Sequence, residues 1–67
     1  MREYQQRVVA EAEDLGKKIS KLATFIDERS KSYQDIPEFD KELLKLQRYL
    51  MNKYLDVLRD RIELYGG

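Results

Sequence analysis

The chain has 67 residues, so we expect a single domain. It contains no cysteine, which excludes disulfides, and no histidine, which removes the commonest metal ligand and the usual general base. Its 13 basic residues balance its 13 acidic residues, whereas proteins that bind DNA or RNA duplexes usually carry a basic surplus. We therefore predict no enzyme activity, no metal or other cofactor and no duplex partner, while a few local cations still suit a small anionic ligand.

The sequence predicts no contact with a membrane. Its apolar runs are only two or three residues long, which is far too short for a transmembrane span. The first six residues lack the apolar stretch of a signal peptide. We therefore expect a soluble protein that stays inside the cell.

The first predicted helix runs from about residue 3 to residue 27. Apolar residues recur along it at alternating steps of four and three, at Val8, Ala12, Leu15, Ile19, Leu22 and Ile26. This spacing places them on one face, the face by which helices pack side by side. Gly16 is the one residue of low helix propensity in a segment that otherwise consists of residues favouring a helix. It is either tolerated at an exposed position, or it permits the close approach of another helix or a ligand.

The predicted connection covers residues 28–39 and contains several turn-forming residues. Within it, Tyr33, Ile36 and Phe39 lie three positions apart. We predict one short helical turn or a folded loop whose apolar side chains close the end of a hairpin. Pro37 suits the first turn of the next helix, or Asp40 caps that helix instead.

The second predicted helix runs from about residue 40 to residue 64 and carries two apolar rows. The predicted packing row is Leu44, Gln47, Met51, Tyr54, Leu58, Arg61 and Tyr65. The row beside it is Leu43, Leu46, Leu50, Val57 and Leu64. Gln47 is expected to fix the register or the oligomeric state, and Tyr54 is expected in the core.

A two-helix hairpin needs only one narrow apolar face from each helix, so the second row should meet another copy. A chain this short has a marginal core, and without disulfides or metals oligomerisation is the stabiliser that remains. The predicted fold is therefore all-α. It is a single domain over residues 1–67, an antiparallel two-helix hairpin that assembles into a helical-bundle homo-oligomer.

One pattern of residues extends over both helices. In helix one it consists of Gln6, Arg7, Val8, Glu11, Leu15, Lys18, Ile19, Leu22, Phe25 and Ile26. In helix two it consists of Leu43, Leu44, Gln47, Met51, Tyr54, Leu58, Arg61 and Ile62. This pattern resembles the helical-hairpin domain of small phage proteins that include the anti-CBASS and anti-Thoeris sponges. The resemblance implies assembly, often as hexamers, and capture of cyclic nucleotide immune signals in the cytoplasm of the infected bacterium, without hydrolysis.

The resemblance also bears on the ligand. The anti-Thoeris members usually carry an additional C-terminal β-rich segment that contributes to a cyclic ADP-ribose site, and this sequence ends without one. We therefore expect a cyclic dinucleotide or trinucleotide. The alternative function is that of a structural or adaptor oligomer without a small-molecule ligand, using the second apolar row of helix two to dock on a partner.

Four residues are candidates for the ligand site, namely Tyr4, Arg7, Lys18 and Arg61. The planar fork of an arginine suits a phosphate, although Arg7 can equally pair with a glutamate four positions away. Tyr4 either stacks on a base or packs at the helix start. Lys18 matches the resembled pattern but can also belong to a solvated face. Arg61 lines a pocket or closes a salt bridge.

Overall fold

The computed structural model describes residues 2–27 and 29–66, and these ranges are helical throughout apart from turns. Three helices follow one another: α1 (Glu3–Phe25), α2 (Lys31–Gln34) and α3 (Glu38–Glu63). Because α1 and α3 pack along each other, the chain is an all-helical hairpin with a short helical turn in its connection, as predicted. Residue 28, where the connection is predicted to begin, lies outside the described residues.

The predicted inward face of α1 is confirmed. Val8, Leu15 and Ile26 are buried, and the other three members of the row are half-buried. At the start of α1 the backbone N–H of Arg2 donates a hydrogen bond of 2.9 Å to Gln5 Oε1, which satisfies a donor that the helix leaves unpaired. A helix with strong formers and one continuous apolar row has a single way to bury that row.

A turn stabilised by a carboxylate follows α1. Asp27 Oδ1 accepts a hydrogen bond of 3.0 Å from the backbone N–H of Arg29, the arrangement by which aspartate favours turns. This bond and the neighbouring Arg29 guanidinium hold the pKa of the exposed Asp27 carboxyl below its ordinary value. The chain then enters α2, and α3 follows and packs along α1.

The predicted apolar plug in the connection is correct for two of its three members. Tyr33 is 3% exposed, with Lys41 Nζ 5.1 Å from its ring centroid, and Ile36 is half-buried. Phe39, however, is 79% exposed. The reason is that Pro37 holds an extended conformation and serves as the N-cap of α3, so Phe39 falls on the first turn of that helix, on its outer side.

The packing row of α3 differs from the predicted one. Its buried and half-buried members are Leu44, Met51, Leu55, Leu58, Ile62 and Tyr65. Gln47, Tyr54 and Arg61 were expected in this row and are exposed instead. Placing the apolar side chains of Leu55 and Ile62 inward avoids the desolvation of a phenol and a guanidinium.

The core lies at the middle and open end of the hairpin. Val8 and Leu15 of α1 form one cluster with Leu55 and Leu58 of α3, and Leu58 is completely buried. Glu11 and Tyr54 lie beside this cluster, one on each helix. The core therefore fixes the distance between the polar side chains that border it.

The second apolar row of α3 remains uncovered within one chain. We call it the α3 apolar face, and its members Leu43, Leu46, Leu50, Val57 and Leu64 are between 49% and 84% exposed. The contact with α1 uses a different stripe of the same helix. None of the helices in the described ranges is long and apolar enough to span a membrane.

Candidate ligand-binding groove

A groove of about 370 Å³ runs between α1 and α3 beside the core. Six of its lining residues come from α1 and one comes from α3. They are Arg7, Ala10, Glu11, Asp14, Leu15, Lys18 and Tyr54. The buried Leu15 side chain and the small Ala10 side chain leave room between the charged residues. The groove is therefore an open channel with apolar surface at its base and charges along its border.

Helix periodicity alone aligns the four charged residues of α1. Arg7, Glu11, Asp14 and Lys18 follow one another at steps of four, three and four, so they share one face. At a rise of 1.5 Å per residue, Arg7 and Lys18 start from backbone positions about 16 Å apart along the helix axis. The groove thus has a cation at each end and two carboxylates between them.

A hydrogen bond joins the two helices across the groove. The Tyr54 hydroxyl donates to Glu11 Oε1. The pKa of Tyr54 is raised above its ordinary value of 10.0, first of all by this hydrogen bond. Desolvation and the negative charge of Glu11 raise the pKa further because they disfavour the phenolate, whereas the positive charge of Arg61 lowers it. Tyr54 is therefore a groove residue with a fixed hydroxyl, and not the core residue that its position in the repeat indicates.

Arg7 has a partner on its own helix. Its Nη2 atom lies 2.7 Å from Glu3 Oε1, and both side chains are largely exposed. Of the two glutamates within reach in the sequence, the arginine thus selects Glu3, which leaves Glu11 to Tyr54. Because an exposed ion pair contributes little free energy, an incoming phosphate can compete with Glu3 for Arg7.

Lys18 and Asp14 face the groove without a partner. Within residues 2–27 and 29–66, neither side chain takes part in an ion pair. Both are exposed. Their hydrogen-bonding groups are therefore available to a ligand. No three carboxylates in the described part of the chain lie close enough to hold a metal ion.

The other two candidate residues lie outside the groove lining. The Tyr4 ring packs edge-on against Tyr65, with a centroid distance of 5.9 Å and an interplanar angle of 84°. Arg61 is exposed and is close enough to Tyr54 for its charge to lower the pKa of that phenol. The structure thus brings Arg7 and Lys18 to one groove and places Tyr4 and Arg61 toward the open end of the hairpin.

Sequence reasoning missed three groove residues, Glu11, Asp14 and Tyr54. Glu11 is a matching residue of the resembled pattern, and Asp14 is not singled out by the sequence. The steps of four, three and four from Arg7 to Lys18 were the signal that could have grouped them. Tyr54 was missed because its position fits the apolar repeat of helix two, which predicts a core residue.

Comparison with known proteins gives one match. The family model described as Sequestin matches residues 2–64, a range that includes every residue of the groove. No curated protein and no solved structure matches the chain.

Proposed function

The chain belongs to the Sequestin family, and on that premise we propose that it is a viral sponge for a cyclic dinucleotide or trinucleotide. The family name denotes sequestration. In this proposal the chain binds second messengers of bacterial antiphage defence in the cytoplasm of the infected host and sequesters them without hydrolysis. The host's effectors then remain inactive because the free messenger is depleted.

The observation that carries the proposal is the groove with Arg7 and Lys18 at its two ends. A cyclic oligonucleotide presents phosphates together with flat bases. Its capture therefore needs cations for the phosphates and aromatic faces for the bases. Arg7 supplies a planar donor fork, Lys18 supplies a second cation, and Tyr54 supplies an aromatic wall.

The size of the groove favours a site shared between copies. Its volume of about 370 Å³ is near the lower end of the range of about 300–1,000 Å³ for small-molecule sites. One copy therefore encloses only part of a cyclic dinucleotide. We propose that Tyr4 and Arg61 of a neighbouring copy complete the site, Tyr4 by stacking and Arg61 by binding phosphate.

The surface of the chain supports self-association. A compact monomer of this mass exposes about 4,500 Å², whereas this chain exposes 5401 Å². The surplus is about the area that one partner buries in a standard interface, roughly 800 Å². The α3 apolar face is the surface that we expect to be covered, in a hexamer if the chain assembles like the phage sponges that it resembles.

A panel of ligands tests the proposal. Size-exclusion chromatography with light scattering first defines the multimer. Isothermal titration calorimetry is then run against cyclic dinucleotides, cyclic trinucleotides and cyclic ADP-ribose. We expect micromolar or tighter binding of at least one cyclic oligonucleotide, and chromatography of the released ligand should recover it intact. Absence of binding across the panel would contradict the sponge, and a hydrolysed ligand would contradict sequestration.

A second candidate function is that of an adaptor or structural oligomer without a ligand. It is favoured by a second, strongly apolar groove of about 470 Å³ on α3, which is bordered by Leu43, Leu46, Leu50 and Tyr54 among others. A defined multimer that gives no heat with any member of the panel would support this alternative.

A further inference from the structure

The exposed side of α3 is apolar in its first half and interrupted by charges in its second half. At steps of four and three, the residues along it are Phe39, Leu43, Leu46, Leu50, Lys53, Val57, Asp60 and Leu64. We call these positions the α3 seam, because this spacing is the one by which two helices pack against each other. The first four positions are all apolar, whereas two of the last four are charged. An uninterrupted apolar surface therefore extends only from Phe39 to Leu50.

Phe39 is the most exposed residue of this apolar half. Its side chain is 79% exposed, whereas the three leucines that follow it on the seam are between 49% and 56% exposed. An aromatic ring in this position gains a large apolar contact when another surface covers it. Phe39 thus has the character of a knob, a side chain that inserts between the residues of a facing helix.

The apolar groove of α3 offers a hole for such a knob. Its volume of about 470 Å³ is large enough for a phenyl ring, and three leucines border it together with Gln47, Met51 and Tyr54. Phe39 cannot fill this groove in its own chain, because helical side chains lean toward the amino terminus and the groove lies on the carboxy-terminal side of Phe39. The ring that fills it must come from another molecule, and a second copy of the chain carries one.

The charges on the seam disfavour a parallel pair of copies. In a parallel pair each position meets the same position of the second copy, so Lys53 would face Lys53 and Asp60 would face Asp60. Like charges at short distance repel each other. An antiparallel pair avoids both contacts when its two-fold axis passes through the apolar half of the seam.

We infer that the first half of α3 is the interface of an antiparallel, two-fold symmetric pair in which the Phe39 ring of each copy fills the apolar groove of the other. Such an interface is self-complementary, as two-fold symmetry requires. With the axis between Leu43 and Leu46, Phe39 lies opposite Leu50 of the second copy, and every layer of the overlap is apolar. The charged positions of the seam fall beyond the residue at which α3 of the second copy begins.

The border of this interface is complementary in charge. In the same register Glu42 lies beside Tyr49 of the second copy. The ammonium group of Lys53 lies 5.4 Å from the centroid of that tyrosine ring. A carboxylate of each copy therefore comes near an ammonium group of the other, once on each side of the two-fold axis.

The first experiment compares two exposed apolar residues of the seam by light scattering over a range of concentrations. Phe39→Ala should raise the dissociation constant of the pair about 10-fold to 100-fold, because both buried rings are lost. Leu64→Ala is the matched control, since Leu64 is 84% exposed and lies outside the overlap, and it should leave this constant unchanged. An unchanged constant for Phe39→Ala, or an equal rise for both variants, overturns the inference.

The second experiment determines the direction of the helices by disulfide cross-linking, which is direct because the chain has no cysteine of its own. Phe39→Cys and Leu50→Cys are combined in one chain. These positions are 11 residues apart, about 16 Å along the helix axis, which is too far for a disulfide within one copy. Oxidation should therefore give covalent dimers of the double variant and of neither single variant.

Circular dichroism confirms that each cysteine variant remains helical, and the oxidation is done at a concentration at which light scattering shows pairs. Cross-linking of either single variant would indicate a parallel pair and overturn the inference. Absence of cross-linking in the double variant overturns it as well.

This interface develops the self-association of the proposed function and is tested separately from the ligand. A chain that binds a cyclic dinucleotide as a monomer overturns the interface, while the sponge stands. An antiparallel pair that binds no member of the ligand panel supports the interface and removes the sponge.

Discussion

Arg7 takes part in an exposed ion pair and also lines the groove, so its two roles can be separated experimentally. If Arg7 binds a phosphate, Arg7→Ala should weaken ligand binding by about 1.5–3 kcal/mol. The fold should lose less than about 1 kcal/mol, because exposed ion pairs contribute little. Calorimetry measures the first effect and thermal unfolding the second.

Arg59→Ala is the matched control, since Arg59 is an exposed arginine of α3 outside the groove lining. It should leave ligand affinity unchanged. If Arg7→Ala abolished assembly while the remaining monomer still bound ligand, Arg7 would be a structural residue and not part of the site.

The hydrogen bond between Tyr54 and Glu11 predicts a dependence of stability on pH. The folded-state pKa of Tyr54 is raised above its ordinary value of 10.0. The bond therefore stabilises the fold at neutral pH, and this contribution is lost as the pH rises through the raised pKa. Thermal unfolding of the unmodified chain and of Tyr54→Phe should be followed from about pH 8 to about pH 11.

We expect the difference in stability between the two proteins to shrink above pH 10, because Tyr54→Phe lacks the titrating group. Lysines titrate in both proteins and cancel in the comparison. Parallel stability curves across this range would show that the bond does not contribute in solution.

At the scale of single helices, the sequence was sufficient to predict which residues of α1 pack inward and insufficient to predict them for α3. The inward face of α1 could be predicted because it is the only apolar row on that helix. In α3 apolar residues cover more than half of the circumference, so their spacing alone does not decide which residues pack inward beside Leu44, Met51 and Leu58. Packing against α1 selects Leu55 and Ile62 and leaves Tyr54 and Arg61 outside. The contact stripe is thus a tertiary property that one helix does not encode alone.

The same reasoning explains the candidate site. Arg7 and Lys18 were accessible from the sequence because phosphate chemistry singles out cations. Asp14 was not, since a carboxylate beside lysines is ordinarily a solvated charge. Asp14 lines a groove to which α3 contributes Tyr54, and this groove exists only once the hairpin has formed.

Gly16 gives a test at the scale of α1. A Cβ atom built at Gly16 meets nothing within 4 Å, so within one chain the glycine is not required for close approach. Gly16→Ala should therefore stabilise the protein by about 0.5–1 kcal/mol, through higher helix propensity. Ala23→Gly in the same helix is the reverse control and should destabilise by a similar amount. Chemical denaturation measures both, and destabilisation by Gly16→Ala would indicate that another copy approaches at this position.

At the scale of the whole molecule, the chain is a rod of 46 × 15 × 15 Å with apolar surface along one side of α3. Tyr54 borders both the charged groove and the apolar groove of α3. A copy that docks on the α3 apolar face would therefore touch the wall of the charged groove. We therefore expect ligand binding and assembly to be coupled, and this coupling is reciprocal, because any change that the ligand makes in the affinity between copies equals the change that assembly makes in the affinity for the ligand.

Leu46→Glu tests whether the α3 apolar face mediates assembly. Leu46 is half-exposed in the single chain, and burying a leucine contributes about 1.5–3 kcal/mol. A glutamate there loses this contribution and adds the cost of desolvating a charge, so the dissociation constant should rise about 10-fold to 100-fold or more. Light scattering over a range of concentrations measures the shift toward monomer.

Lys45→Glu introduces the same side chain one position away, on the polar side of α3, and should assemble normally. A Leu46→Glu variant that assembles like the unmodified chain would exclude this face as the interface, and an unmodified chain that stays monomeric at millimolar concentration would exclude assembly altogether.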